Sequence, residues 1–318
     1  MTDGARLQYM PVSIFSTVMG MSGLTIAMQK SALLWTGFAS VCGVLAVLTS
    51  LLFAVLIALY INKLLRYPDA VREELKHPVK LSFTATISIS LILLGTVFVE
   101  AYPQLSFYLW SAGTGLHLLF TLYVLSSWIH HSHYEITHIN PAWFIPVVGN
   151  ILVPVAGVHH VSVEISWFFY AIGLVFWLVL FTIIMYRVIF HAPLAEKLWP
   201  TLFILIAPPA VGFIAYVKLS GDIDSFARIL YYLALFITLL LLVQWRRFIG
   251  LPFFLSWWAY SFPLAAMTIA SFVMYQHLHY TLLLYIGAAL LVLLLLVIAV
   301  LVVNTVRAVI HHQICVED

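Results

Sequence analysis

The chain has 318 residues, 64% of them hydrophobic and only 8% charged, with a mean hydropathy of +1.08. A soluble domain is about half apolar and about a quarter charged, so 14 basic and 12 acidic side chains cannot cover a water-facing surface. A net charge of +2 with no Lys/Arg-rich block excludes a nucleic-acid partner. At about 20 residues per crossing and roughly 10 per connection, this length holds about ten spans of a polytopic helical membrane protein.

Taken in chain order, the first apolar run covers 10–29 and carries Ser13, Ser16, Thr17, Gly20, Ser22, Gly23 and Thr25. It is too long for a signal-peptide core and no small-x-small cleavage site follows, so it reads as a retained span. The runs 34–62 and 104–129 are the second and fourth, the latter enclosing His117. Between them, 81–99 carries Ser82, Thr84, Thr86, Ser88, Ser90, Gly95 and Thr96. The run 143–160 contains Pro146, Gly149, Asn150, Pro154 and Gly157. Its prolines and the pair His159-His160 separate it from 163–186. Further along, 199–217 holds Pro208, Pro209 and Gly212, and 254–275 holds Ser261, Pro263, Thr268 and Ser271. The runs 226–245 and 280–306 are almost purely apolar. Cys42 falls inside a span and Cys315 in the polar tail, which argues against a disulfide framework.

Lys and Arg set the orientation. Arg6, Lys63, Arg66, Arg72, Lys76, Lys80, Arg187, Lys197, Arg246, Arg247 and Arg307 fall on the side of the N-terminus, against Lys30, Lys218 and Arg228 opposite. Ten spans with this bias place both termini in the cytoplasm. Proline and glycine free backbone groups that lipid cannot satisfy. The odd spans therefore belong inside and the even ones face lipid. The expected architecture is all-α: five helical hairpins whose inner helices surround a pore.

Ser82, Thr86 and Ser90 form one i, i+4 stripe and are pore-lining candidates, with Pro146, Gly149, Asn150, Pro208, Gly212 and Ser261. The alternative for each hydroxyl is a bond back to its own helix. Every Lys, Arg, Asp and Glu falls at a span end or in a loop, leaving His117 as the one titratable candidate deep in a span. A passage so lined binds ions weakly and releases them quickly, which conduction needs. Broken helices present positive dipole ends and favour anions. A haem protein is the rival from another class, because His117 lies 13 and 14 positions from His130 and His131. No second span supplies a matching pair, and we expect no catalytic residue, metal site or cofactor.

The segment Ser256-Trp257-Trp258-Ala259-Tyr260-Ser261-Phe262-Pro263 resembles the W-W-A-Y-x-F-P segment of the plant guard-cell slow anion channels and their bacterial tellurite-resistance and C4-dicarboxylate transporter relatives. Three further segments resemble the same family: Pro11-x3-Phe15-x4-Gly20-x2-Gly23-Leu24, His77-Pro78-x4-Phe83 and Pro208-Pro209-Ala210. The resemblance implies a homotrimer in the bacterial inner membrane, with a pore in each protomer that passes chloride, nitrate, sulfite or malate. It also implies a phenylalanine gate at Phe262, aimed by Pro263, with Phe15, Ser16 and Gly20 beside it. Where relatives commonly have Gly after the first-helix Phe, this chain has Ser16. A proton-coupled dicarboxylate or sulfite exporter is the alternative on the same scaffold, and His117 would be its coupling group.

Overall fold

The computed structural model describes residues 3–130 and 134–316; His131 and His133 lie outside the described residues. Among the described residues, nine helices are long and apolar enough to cross a bilayer. In chain order they are α1 (Val12–Ala32), α2 (Ser40–Arg66), α3 (Lys80–Phe98), α4 (Pro103–His130), α6 (Val163–Phe190), α7 (Glu196–Ser220), α8 (Ser225–Val243), α9 (Leu255–Leu278) and α10 (Thr281–Ile310). The remaining predicted span is a shorter apolar segment, α5 (Pro141–Gly157).

Burial separates the helices into two sets. In the most apolar stretch of α1, α3, α7 and α9, 72–83% of residues are buried, against 22–39% in α2, α4, α6, α8 and α10. The first set carries the Ser, Thr, Gly and Pro of the odd spans. The second shows Leu, Val and Phe outward, as side chains facing hydrocarbon must.

The segment α5 is built from short pieces. 3-10 turns at Pro141–Trp143 and Gly149–Leu152 alternate with α turns at Phe144–Val148 and Val153–Gly157. Pro146 and Pro154 lack the N–H that a continuous α ladder would use. Side chains bond three carbonyls of the segment: Thr121 Oγ1 donates to Pro146 O at 2.7 Å, Asn150 Nδ2 to Val147 O at 2.8 Å and Trp110 Nε1 to Val153 O at 2.9 Å. Two of these donors belong to α4. With rises between ~1.5 and ~2.0 Å per residue, such a segment reaches about 30 Å, the depth of a hydrocarbon core. All of its central pieces pack along α6, which forms a hairpin with it.

Four of the five inner segments share one habit. α1, α5, α7 and α9 all begin with 3-10 turns, at Val12–Phe15, Pro141–Trp143, Glu196–Ile206 and Leu255–Tyr260. Runs beyond three or four residues are uncommon and mark strain or a hinge; the Glu196–Ile206 run spans 11 residues around Pro200.

Small residues bring neighbours close, as usual in membrane helices. A Cβ on Gly95 of α3 would lie 2.9 Å from Trp110 Cβ of α4, and one on Gly113 of α4 would lie 2.8 Å from the Ile92 backbone. At the far end of α7 the chain turns through Gly221, with φ of 80°, into an N-cap for α8. There Asp224 accepts from Ala227 N at 2.9 Å and from the Tyr216 hydroxyl at 2.6 Å. The Tyr216 bond, with the Ala227 N–H, holds the Asp224 carboxyl below its ordinary value. A depressed carboxyl stabilises the fold above its unfolded pKa, and that contribution disappears as pH falls through the folded value. Asp224→Ala should therefore melt below wild type at pH 7, with the gap narrowing as pH falls below the ordinary carboxylate range. Equal melting temperatures at pH 7 would refute the cap's contribution.

Candidate ion pathway

Two cavities lie between the inner helices, on the half of the molecule where those helices begin. The larger, a vestibule of about 540 Å³, is walled by the 3-10 starts of α1 and α9, the start of α3, the segment before α3 and the C-terminal residues Gln313–Val316. The smaller, about 50 Å³, lies deeper, between α1, α3, α5, α7 and α9. Five residues line both: Met19, Ile145, Ile204, Ala207 and Phe262. They form the apolar neck between the cavities.

Phe262 occupies a distinctive place in that neck. From Tyr260 to Met274 it is the one residue not fully buried, because its ring borders empty space on both sides. The α part of α9 begins at Ser261, directly after the 3-10 run. Pro263 therefore sits in the first helical turn, where no N–H is needed. The ring rests over α1: a Cβ built on Gly23 would lie 3.3 Å from Phe262 Cδ2 and 2.9 Å from Ala265 Cβ. One turn earlier, a Cβ on Gly20 would fall 2.2 Å from Ser261 Oγ. Glycine at these positions lets α1 and α9 approach closely.

The other predicted residues divide into those that face a cavity and those that stand behind the wall. Ser16 faces the vestibule, its hydroxyl donating to Ser13 O at 2.6 Å. Its neighbour Phe15 points the other way, fully buried with ring centroids 6.1 Å from Phe53 and 5.8 Å from Tyr60. Of the stripe on α3, Thr86 lines the vestibule, and its hydroxyl lies 2.6 Å from Phe83 O. Ser90 is buried and donates to Thr86 O at 2.7 Å. Ser82 is buried too, with no hydrogen-bond partner among the described residues. Helical bond-back thus takes up most of these hydroxyls. Gly149 and Pro208 line the inner cavity, whereas Pro146, Asn150, Gly212 and Ser261 line neither. Ser261 donates to Trp258 O at 2.6 Å, and the Gly212 carbonyl accepts from the Tyr170 hydroxyl at 3.2 Å.

His117 is fully buried behind Gly149 and lines neither cavity. Its Nδ1 lies 2.8 Å from Ser88 Oγ, and Ser88 is also 2.8 Å from Ala85 O. With the serine proton directed at that carbonyl, Nδ1 carries the imidazole proton and Nε2 is left without a partner among the described residues. No cluster of three or more metal-ligating side chains occurs among the described residues.

Two groups emerged only from the structure. The neck residues Met19, Ile145, Ile204 and Ala207 look like any other apolar residue of an apolar span, and no sequence signal singles them out. The loop between α2 and α3, which reads as a solvated surface, instead folds in part. It forms the amphipathic helix Pro68–Lys76, burying Val71 and Glu74. Glu74 pairs with Lys63 of α2 at 2.8 Å inside the vestibule wall. Its i, i+3 relation to Val71 was the available signal.

At the opposite face, Lys218 at the end of α7 lies 3.4 Å from His159, which follows α5. Partial burial, then the Lys218 ammonium, holds this imidazole below its ordinary value.

Long apolar helices around stacked cavities fit an integral membrane protein of the channel or transporter class. Over residues 9–306 the sequence matches the voltage-dependent anion channel family, SLAC1, and the chain belongs to that family. It is 28% identical over 283 residues to an uncharacterized transporter of Methanocaldococcus jannaschii, covering 81% of this chain and 83% of that protein. To the tellurite resistance protein TehA homolog of Haemophilus influenzae it is 27% identical, across 84% and 82% of the two chains. The S-type anion channel SLAH3 of Arabidopsis thaliana is 29% identical over 82% of this chain and 42% of the plant protein. The family is one of membrane anion channels and transporters rather than enzymes.

Proposed function

We propose that the chain is a passive anion channel, conducting chloride, nitrate and similar small anions, with sulfite and malate as further candidates. In this reading each protomer of a homotrimer in the bacterial inner membrane holds its own pore, both termini are cytoplasmic, and Phe262 closes the neck. The observation that carries it is the meeting of two cavities at one partly exposed phenyl ring. An apolar constriction of this kind blocks ions sterically and by dewetting. None of the five neck residues is ionisable, so an ion that passes meets no strong binding group there. The excess of Lys and Arg on the vestibule side supports the orientation.

The exporter reading needs a titratable group on the pathway, and His117 stands behind Gly149 rather than in either cavity. Passive efflux of chloride and nitrate from proteoliposomes, without a pH gradient, is the direct test. The expected result is a low flux that runs down the anion gradient and needs no proton gradient. Silence toward both ions, together with accumulation of malate or sulfite under a pH gradient, would replace the channel with the exporter.

A further inference from the structure

The vestibule wall holds a charge pair whose position gives it a use in anion handling. Lys63, in the last turn of α2, has a side chain only 1% exposed. Its ammonium donates to Glu74 Oε1 and to Met10 O, each at 2.8 Å. The Tyr60 hydroxyl donates to the second Glu74 oxygen, also at 2.8 Å. Both members of the pair line the 540 Å³ vestibule, as do Ser13 and Ser16.

Burying two charges carries a large hydration penalty for each ion, and an apolar pair of similar volume is often as stable. Stability is therefore a weak explanation for the pair. An ammonium in a cavity wall is the strongest anion ligand that wall can offer. A carboxylate bonded to it cancels most of its field a few ångströms away. Conduction requires a site attractive enough to enter and weak enough to leave, and a lysine held by its own counter-ion meets that requirement.

Resting on the channel reading above, we propose that Glu74 sets how tightly the vestibule holds an anion, by competing with it for the Lys63 ammonium. Removing the negative charge while keeping the shape should leave a cationic site that retains anions. Glu74→Gln is nearly isosteric, and its amide oxygen can still accept from Lys63 or Tyr60.

The test reads binding apart from conduction. Thermal melting of the detergent-solubilised full chain is followed against chloride and nitrate concentration, because a ligand of the folded state raises Tm by mass action. For Glu74→Gln the anion concentration giving half of the effect should fall about tenfold relative to wild type. The double variant Lys63→Met/Glu74→Gln should lose that gain. In proteoliposomes carrying Phe262→Ala, adding Glu74→Gln should lower both the half-saturating anion concentration and the maximal flux. An unchanged midpoint in Glu74→Gln, or an equal gain in the double variant, overturns the proposal. If Lys63-dependent tightening appears in a protein that conducts nothing, the site stands and the channel reading fails.

Discussion

Phe262→Ala should convert a nearly silent protein into a leaky one, with chloride and nitrate efflux rising on the order of tenfold or more. Each 1.36 kcal/mol removed from the barrier is tenfold in rate, and a dewetted apolar neck closed by a phenyl ring presents a barrier of at least that size. The ring is partly exposed between two cavities, so its loss joins existing empty volumes rather than excavating a packed core. The stability cost should accordingly fall below the ~3–5 kcal/mol typical of a buried Phe→Ala change. Phe262→Leu, which restores most of the apolar bulk, should close the pathway again. Unchanged efflux from a Phe262→Ala protein of normal melting temperature and oligomeric size would end the assignment of this ring as the closure.

The second large effect belongs to Gly20. An alanine Cβ there would sit 2.2 Å from Ser261 Oγ and 2.9 Å from both Ser261 Cβ and Trp258 Cε3. No rotamer change relieves all three contacts, so α1 and α9 must separate. Overpacking of this kind costs about 1–3 kcal/mol, more than the gain in helix propensity on replacing glycine. Gly20→Ala should lower Tm by several degrees and raise basal efflux, since Phe262 follows the displaced Ser261. Ser261→Gly in the same chain removes two of the three clashes and should recover part of both losses. A double-mutant cycle then measures the coupling directly; additive effects would show that the two helices do not meet at this pair.

The division into inner and outer helices was legible because lipid chemistry imposes it. Backbone freed by Pro208 or crowded by Gly20 has to be met by protein, while Leu and Val runs need nothing but hydrocarbon. The breakage of α5 was half legible. Pro146 and Pro154 announce interruptions, but the alternation of 3-10 and α turns depends on Thr121 and Trp110, which come from a different helix. Lining residues were the least legible. Ser82, Thr86 and Ser90 share a helical face by spacing, yet each i, i+4 step drifts about 40° around the helix and ~6 Å along it, and of the three only Thr86 lines the vestibule. Lys63 and Glu74 each look like a residue of a water-exposed loop until the short helix Pro68–Lys76 folds one onto the other. Burial of a pair is a property of two elements at once, and neither element carries it alone.

The 3-10 stretch Gly149–Leu152 gives the fifth inner segment a mechanical property that a continuous helix lacks. A 3-10 residue turns the chain by about 120° and advances it ~2.0 Å, against about 100° and ~1.5 Å in an α-helix. Four residues exchanging one form for the other would rotate everything beyond them by about 80° and shift it by about 2 Å along the axis. Gly149 lies on the inner cavity and starts this stretch, so such an exchange would begin at the cavity wall. The segment has the geometry of a short screw thread: that exchange would turn its far end, Val153–Gly157, by nearly a quarter turn about its own axis.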